Sequence, residues 1–491
     1  MPFVALGEDV LLKTFCFCDI STVLAVSAIN KGLRRIALSK QLWLSLVLDP
    51  RFRDALDLPP PNGEKLECLS TEELIDVVKN AVTGPCPIGD SEHDESSSVT
   101  LTSVQIPLDD VDARDHSEAR LLPGARYFLL HSASTTQQRW CIYDIWNARR
   151  VWERLVQGHT MCEVDLMPGS AVARVFFVQT VDHSNTCTLH VEEVDLTTGA
   201  SHELFNFSFD RNVFEIKPRA IVGDFLLAPV GSSRLLLILI NWRARTFVFL
   251  QGHYFCYARL IPGYIISMHL VLFPRRDRGY ILAVTALEAF SDRWQSLTDD
   301  SAGLAAQLKI VFPSAIPIHR LNIATQERLE YTPIFSDLMS VTSDPLCAGA
   351  YNISLQGFQF PKRLSPCAML MERIGNRILS MAGAARWAEA LHELAHASAQ
   401  VVLCYQFTPA VSAAGEGCSL RLVSTRRVSD GQQIQQVNCP RASIPLSEGS
   451  WIDVVYREGK RTGVGRCTSE MIHPFAGSIL EALRYYLRLK L

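Results

Sequence analysis

The 491-residue chain has no apolar run long enough to cross a bilayer as a helix. Its longest, residues 235–240 and 264–273, fall far below the ~20 residues a spanning helix needs, and they read as buried strands. Met1 is followed by Pro2, Phe3 and Val4 and then by acids, without a basic segment, so no secretory leader is expected. There is no excess of one charge: 47 basic against 51 acidic residues leave a net −4. That argues against nucleic acid or an anionic membrane as a partner. None of the 14 cysteines forms a Cys-x-x-Cys pair, which excludes a zinc ribbon or a thioredoxin-type site. Cys16, Cys18, Cys256 and Cys404 lie inside apolar segments. Reduced thiols in a cytoplasmic and/or nuclear protein are the expectation. No Gly-x-Gly-x-x-Gly, Walker loop or Gly-x-Ser-x-Gly elbow occurs, so neither nucleotide-phosphate cradling nor a serine-hydrolase elbow is encoded. With 48% hydrophobic and 20% charged residues, the chain specifies a large core rather than disorder.

The first fifty residues carry the most information. Glu8 and Asp9 open a helix, where negative charge suits the positive end of the helix dipole. Leu11, Phe15 and Cys18 recur at i, i+4 and i+7 as one apolar stripe. Asp19 and Ser21 are cap-type residues that break and restart the helix. Leu24, Ile29, Leu33 and Ala37 line the next segment, with Gly32 as a weak point, and Ser39 precedes a last turn carrying Leu42, Trp43 and Leu46. Three short amphipathic helices follow one another, and about 45 residues are too few to bury all these faces alone.

This pattern resembles the F-box. Leu6, Glu8, Leu11, Leu12, Phe15, Asp19, Leu24, Ser27, Lys31, Leu33, Arg34, Leu42 and Trp43 fall in register with that family's consensus or within one position of it. The departure is Gly7, where the family carries proline. Proline would pre-set the first turn and glycine does not.

Residues 51–98 read as a helical connector followed by a linker. Pro59, Pro60 and Pro61 break the chain, and Ser70-Thr71-Glu72-Glu73 starts a helix through Leu74, Val77 and Val78. Residues 84–98 are acidic and Ser-rich, and this stretch is expected to separate two independent units. From residue 99 the texture becomes short strands rich in β-branched and aromatic residues, such as Tyr127-Phe128-Leu129-Leu130 and Val175-Phe176-Phe177-Val178. A repeat of strand, polar turn and strand recurs at Asp144, Asp195, Asn241 and Asn322. The first three are 51 and 46 positions apart, and an insertion near residues 292–303 accounts for the longer last interval. A period near 50 fits one four-stranded propeller blade. The copies are similar to the strand and hairpin of degenerate WD-repeat proteins, and the whole chain resembles fungal F-box plus propeller-like proteins. The expected fold is α+β multidomain: a small helical F-box at 1–50, then an all-β domain at 99–491, a β-propeller of about seven blades.

Two further features bear on chemistry. His392-Glu393-Leu394-Ala395-His396 spells the zinc-peptidase motif, which on a helix would place both imidazoles on one face with the glutamate as general base. Ala399 stands where the extended form has glycine, and no third ligand follows in a suitable context. No metal, cofactor or catalytic residue is therefore expected, and a zinc metallopeptidase is the least favoured reading. The clusters around Arg275-Arg276-Asp277-Arg278, Arg426-Arg427 and Arg457 to Arg461 read as solvated hairpin tips, although arginines on a propeller face can pair with phosphate or acidic peptides.

The resemblance implies the substrate-recognition subunit of an SCF-type cullin–RING ubiquitin ligase, which itself makes no bond. Its F-box would bind the Skp-family adaptor, and through it the cullin complex, while the β-domain holds a target protein. It also implies that Leu6, Leu11, Leu12, Phe15, Leu24, Ile29 and Trp43 face or support the adaptor. The alternative is an F-box scaffold acting outside a ligase.

Overall fold

The computed structural model describes residues 6–83, 100–107, 116–133, 138–156, 158–167, 169–180, 186–210, 216–230, 236–251, 257–272, 278–297, 316–317, 323–329, 332–333, 339–359, 399–410, 417–428, 441–443 and 451–458. It is a short N-terminal helical module followed by a series of antiparallel sheets.

Seven helices build the module: α1 (Glu8–Phe15), α2 (Ile20–Ser27), α3 (Lys31–Ala37), α4 (Lys40–Leu48), α5 (Pro50–Ala55), α6 (Gly63–Cys68) and α7 (Thr71–Thr83). Their starts follow the sequence. The Asp19 carboxylate accepts the Thr22 amide at 2.7 Å, and Asn30 accepts that of Leu33 at 2.9 Å. Ser70 and Glu73 form a reciprocal capping box at 2.7 and 3.3 Å. Ser39 stands at the head of α4 but makes no side-chain cap bond.

One core holds the module together, and it bears on the boundary expected at residue 50. Leu11, Phe15, Ile20, Val23, Leu33, Leu42, Trp43 and Leu46 are buried together with Phe52, Leu56, Leu74 and Val78. Residues 51–83 are thus not a connector. They supply the second wall that fifty residues could not provide, and the helical unit runs to Thr83. The Trp43 indole N–H donates to the Ala37 carbonyl at 2.9 Å, so its one polar atom is satisfied inside this core.

The β region forms six sheets among the described residues, against about seven blades expected. The first is β2 (His116–Leu121), β3 (Tyr127–Ala133), β4 (Gln138–Asp144) and β5 (Arg149–Val156). The second is β6 (His159–Leu166), β7 (Val172–Thr180), β8 (Thr186–Asp195) and β9 (Ser201–Asp210). The third is β10 (Ala220–Val222), β11 (Phe225–Pro229), β12 (Leu236–Asn241) and β13 (Thr246–Gln251), extended by the two-residue strands β17 (Gln295–Ser296) and β18 (Ile316–Pro317). The fourth is β14 (Tyr257–Ile261), β15 (Tyr264–Leu272), β16 (Arg278–Ala286) and β19 (Ile323–Leu329). In the fifth, β20 (Thr332–Pro333) and β21 (Met339–Ser343) both pair with β22 (Tyr351–Gln359), which leads to β23 (Ala399–Thr408) and β24 (Ser419–Val428). The sixth joins distant parts of the chain: β1 (Thr100–Pro107) pairs antiparallel with β26 (Trp451–Glu458), which pairs with β25 (Arg441–Ser443). Up-and-down four-stranded sheets in sequence are the strand order of propeller blades.

Consecutive sheets pack face to face, and this explains the unbroken apolar runs. Phe176 and Val178 face the third sheet, while Val175 and Phe177 face the first. Leu226 and Ile240 belong to the core with the second sheet, whereas Leu227 and Leu239 belong to the core with the fourth. Ile265 and Ile266 likewise part to the third and fifth. Alternate residues therefore fill different cores, and a strand buried on both faces reads as continuous rather than alternating hydrophobicity.

The repeat has a structural basis. Asp144, Asp195 and Asn241 each end the third strand of their sheet, and their side chains accept amides of the following turn, from Trp146, Thr197 and Ala244 at 3.0, 2.8 and 2.9 Å. Four residues later Ala148, Gly199 and Arg245 take positive φ, 48, 77 and 53°. One residue later Ile145, Leu196 and Trp242 are buried, and their amides donate to the carbonyls of Arg126, Ala171 and Asp224, just ahead of the second strand. Leu287 repeats that bond to Gly263, but there a 3-10 turn (Leu287–Phe290) replaces the tight turn. Of the expected insertion at residues 292–303, only residues 292–297 are described. Asn322 lies outside the described residues.

Candidate interaction surface of the helical module

The sequence-selected residues fall into two groups. Leu11, Phe15 and Trp43 lie in the helical core, at most 3% exposed. Leu12 is half-buried against the same core. Leu6, Leu24 and Ile29 are exposed, at 42, 48 and 67%. Leu11 and Phe15 share one core with residues from beyond the first fifty, Phe52, Leu56, Leu74 and Val78, so the cover this segment lacks comes from the same chain.

The exposed group is larger than the sequence reading picked out. Val10 is 52% and Phe17 81% exposed. Val10 lies on α1 away from the buried Leu11 and Phe15, and Leu6 and Phe17 flank that helix at its two ends. In the sequence the stripe of Leu11, Phe15 and Cys18 dominates these positions. Of nine large hydrophobic residues exposed among the described residues, six lie in the first 38 positions: Leu6, Val10, Phe17, Leu24, Ile29 and Leu38. Singly exposed apolar residues need no explanation, but a concentration of them on one small module marks an interaction surface. The rim carries charge. Arg35 pairs with Glu8, both largely exposed.

The module is tied to the β-domain at two hairpins. Between β21 and β22, Asp344 accepts the amides of Leu346 and Cys347 at 2.8 and 3.1 Å and the Gln406 amide group at 2.7 Å. That shapes a turn which sends Leu346 against the helical core. The Leu346 carbonyl accepts the Ser21 amide at 2.9 Å, and the Ala348 amide donates to Asp19 at 2.9 Å. Asp19 therefore caps α2 and holds the β-domain with its second oxygen. Burial alone would raise its pKa, but the Thr22 and Ala348 bonds bring it below the ordinary value.

The second tie is between β2 and β3, where Asp57 accepts the Gly124 amide at 2.9 Å. Gly124 has φ 85°, and a Cβ there would lie 3.1–3.2 Å from Asp54. Burial at this seam pushes the Asp54 carboxyl up to about 6, against the pull of Arg126 and Arg53 and with the help of Asp57 and Asp49. Both ties use the turn between the first and second strands of a sheet, so the helices sit at one end of the β-domain. The expectation of two units kept apart by a linker is corrected by these bonds. Residues 84–98 themselves lie outside the described residues.

No group of three or more His, Cys, Asp or Glu suited to a metal occurs among the described residues. His392, Glu393 and His396 lie outside the described residues, as does the C-terminal segment from residue 459. Arg426 and Arg427 stand inside β24 and Arg457 inside β26, so these are strand positions rather than hairpin tips. Among the described residues, no helix is long and apolar enough to cross a membrane.

No protein-family description matches the chain, and no curated protein matches its sequence. Among solved structures, similarity is found to the β-propeller domain of the Trilobed protease from Pyrococcus furiosus, at 10% identity and a TM-score of 0.25, over 48% of this chain and 60% of that one. The WD40 domain of SCAP from fission yeast matches at 9% identity and a TM-score of 0.24, over 70% and 82% of the two chains. The WD40 domain of Toxoplasma gondii coronin matches at 8% and 0.27, over 79% and 91%. The fold assignment rests on this chain's own strand order and face-to-face cores.

Proposed function

We propose that the chain is the substrate-recognition subunit of an SCF-type cullin–RING ubiquitin ligase, with the helical module as its F-box. The observation that supports this best is the exposed apolar set Leu6, Val10, Phe17, Leu24 and Ile29 on a module whose opposite side is a complete core. Leu11, Leu12, Phe15 and Trp43 then support the adaptor surface rather than touch the adaptor. The β region is a propeller ring with the six sheets as consecutive blades, and the β1–β26 pairing ties its two ends together. It holds a target protein and makes no bond itself. Holding target and adaptor on one body raises the local concentration of the target's lysines near the ubiquitin-charged enzyme.

The test uses the full-length chain with a purified Skp-family adaptor. Leu24→Asp and Ile29→Asp, at exposed positions, should each weaken adaptor binding about tenfold or more while leaving the thermal transition in place. Unchanged binding in both variants would refute the reading. Recovery of a cullin together with the adaptor from cells separates the ligase subunit from a scaffold acting outside a ligase.

A further inference from the structure

The outermost strand of the fifth sheet stands apart from its counterparts. Each of β5, β9 and β13 buries large side chains, among them Trp152, Phe205 and Phe247. No residue from Ser419 to Thr425 in β24 is buried, and Arg421 through Thr425 are all exposed. Among the described residues β24 pairs only with β23, and no described strand pairs with its other edge. At the bulge Leu422 opposes Tyr405 and Ser424 opposes Cys404, which leaves Val423 as the extra residue. Leu422 and Val423 are 39 and 55% exposed, and among the described residues they are two of the three large exposed hydrophobics outside the helical module. The strand SLRLVSTRRV contains Arg421, Arg426 and Arg427 and no acid.

An open edge is a template for another strand unless charge, bulges or cover prevent it. Here the three arginines select rather than prevent. A second copy of this strand would bring like charges together across the ladder, which is unfavourable, whereas an acidic strand would gain opposite charges at the same positions. The regular run Ser424–Val428 beyond the bulge offers backbone donors and acceptors, and Leu422 and Val423 offer apolar contact beside it. We propose that β24 is a docking edge for an extended acidic segment of a partner protein, which adds as a further strand to the fifth sheet. This gives a place and a chemistry to the target-holding part of the function above. It does not depend on adaptor binding.

The experiment uses the full-length chain without adaptor. The probe is a fluorescein-labelled peptide of alternating glutamate and valine, as long as the strand at ten residues, followed by fluorescence anisotropy. Saturable binding is expected, with Ser419 to Val428 becoming protected from amide hydrogen exchange. Arg421→Glu and Val423→Ser should each lower the affinity, the charge reversal on the order of tenfold, with an unchanged thermal transition because both positions are exposed. A peptide with lysine for glutamate should not bind, and methylation of alternate probe amides should abolish binding because it removes the ladder donors. The proposal is overturned if the probe does not bind up to about 1 mM. It is also overturned if the lysine peptide binds equally, or if protection appears elsewhere and Arg421→Glu has no effect. Leu24→Asp and Ile29→Asp should leave this binding untouched, so failure here and failure of the adaptor reading are told apart.

Discussion

At the scale of single residues, the seam between module and β-domain turns on a few carboxylates and glycines. Asp54 is held neutral up to about pH 6 by its burial between the helices and Gly124, although Arg126 and Arg53 pull the other way. A carboxyl raised in the folded state binds its proton there more tightly than in the unfolded chain. Its contribution to stability is therefore greatest at acid pH and is lost as pH rises from about 4 through about 6. Buried His131 and His190, both lowered to about 4, act in the opposite sense: as pH falls from their ordinary value toward about 4 the unfolded chain protonates them while the folded chain keeps them neutral, so stability is lost toward acid. Comparison with Asp54→Asn isolates the first effect. The variant should be more stable than the parent at pH 7, and the difference should shrink as the pH is lowered to about 4, as read by denaturant midpoints. The repeat turns make a second residue-scale prediction. Gly199 has φ 77°, and a Cβ there would lie 2.5 Å from the Val151 carbonyl oxygen, which is backbone and cannot swing away. Gly263 has φ 76° with open space around it. Gly199→Ala should cost about 1–3 kcal/mol and Gly263→Ala distinctly less, since only the latter escapes the clash.

At the scale of elements, α2 shows how one side chain serves two structures. Asp19 gives one oxygen to the Thr22 amide and the other to Ala348 of the fifth sheet. Asp19→Ala removes a helix cap and leaves the Ala348 amide without this acceptor, so it should cost about 1–2 kcal/mol. Asp19→Ser should restore the cap alone and recover only part of the loss, as measured by thermal unfolding. The cap was legible in the sequence, because an aspartate before an apolar periodic run is a local signal. The second bond was not, because Ala348 is 329 residues away. The same division applies to the whole site. The stripe of Leu11 and Phe15 could be read from its spacing, but whether a stripe faces a partner or a core depends on which helix covers it. Phe52, Leu74 and Val78 decide that from outside the segment. The propeller-type strands were readable from the turns at Asp144, Asp195 and Asn241. A second recurring signal, the positive-φ glycines 124, 169, 223, 263 and 349 ahead of the second strands of five sheets, is not legible in the sequence because their spacing is uneven. The short strand β10 and the two-residue β17 and β18 leave no periodic trace in so few residues.

At the scale of the molecule, the question is whether the helical module and the β-domain move as one body. Two hairpins hold the module: one through Leu346, Ser21 and Asp19, the other through Gly124 and Asp57. Together they supply three hydrogen bonds and the burial of Leu346 against the helical core. The Ala348–Asp19 bond is exposed and the Gly124–Asp57 bond and Leu346 are only partly buried, so each hydrogen bond contributes about 1 kcal/mol or less and the leucine less than the roughly 1.5–3 kcal/mol of full burial. Under the function proposed above, a target held on the β-domain would be presented at a fixed angle to whatever binds Leu24 and Ile29. The intact chain should unfold with the helical module and β-domain coupled in a single calorimetric transition. Asp57→Ala with Leu346→Ser removes one element from each tie, the second by taking a leucine of the β-domain off the surface of the helical core. That double variant should split the transition, with the helical module melting first and the β-domain keeping its midpoint. If the parent already shows two transitions that the substitutions do not shift, the hairpins do not couple the units, and the exposed helical surface is carried on a free arm.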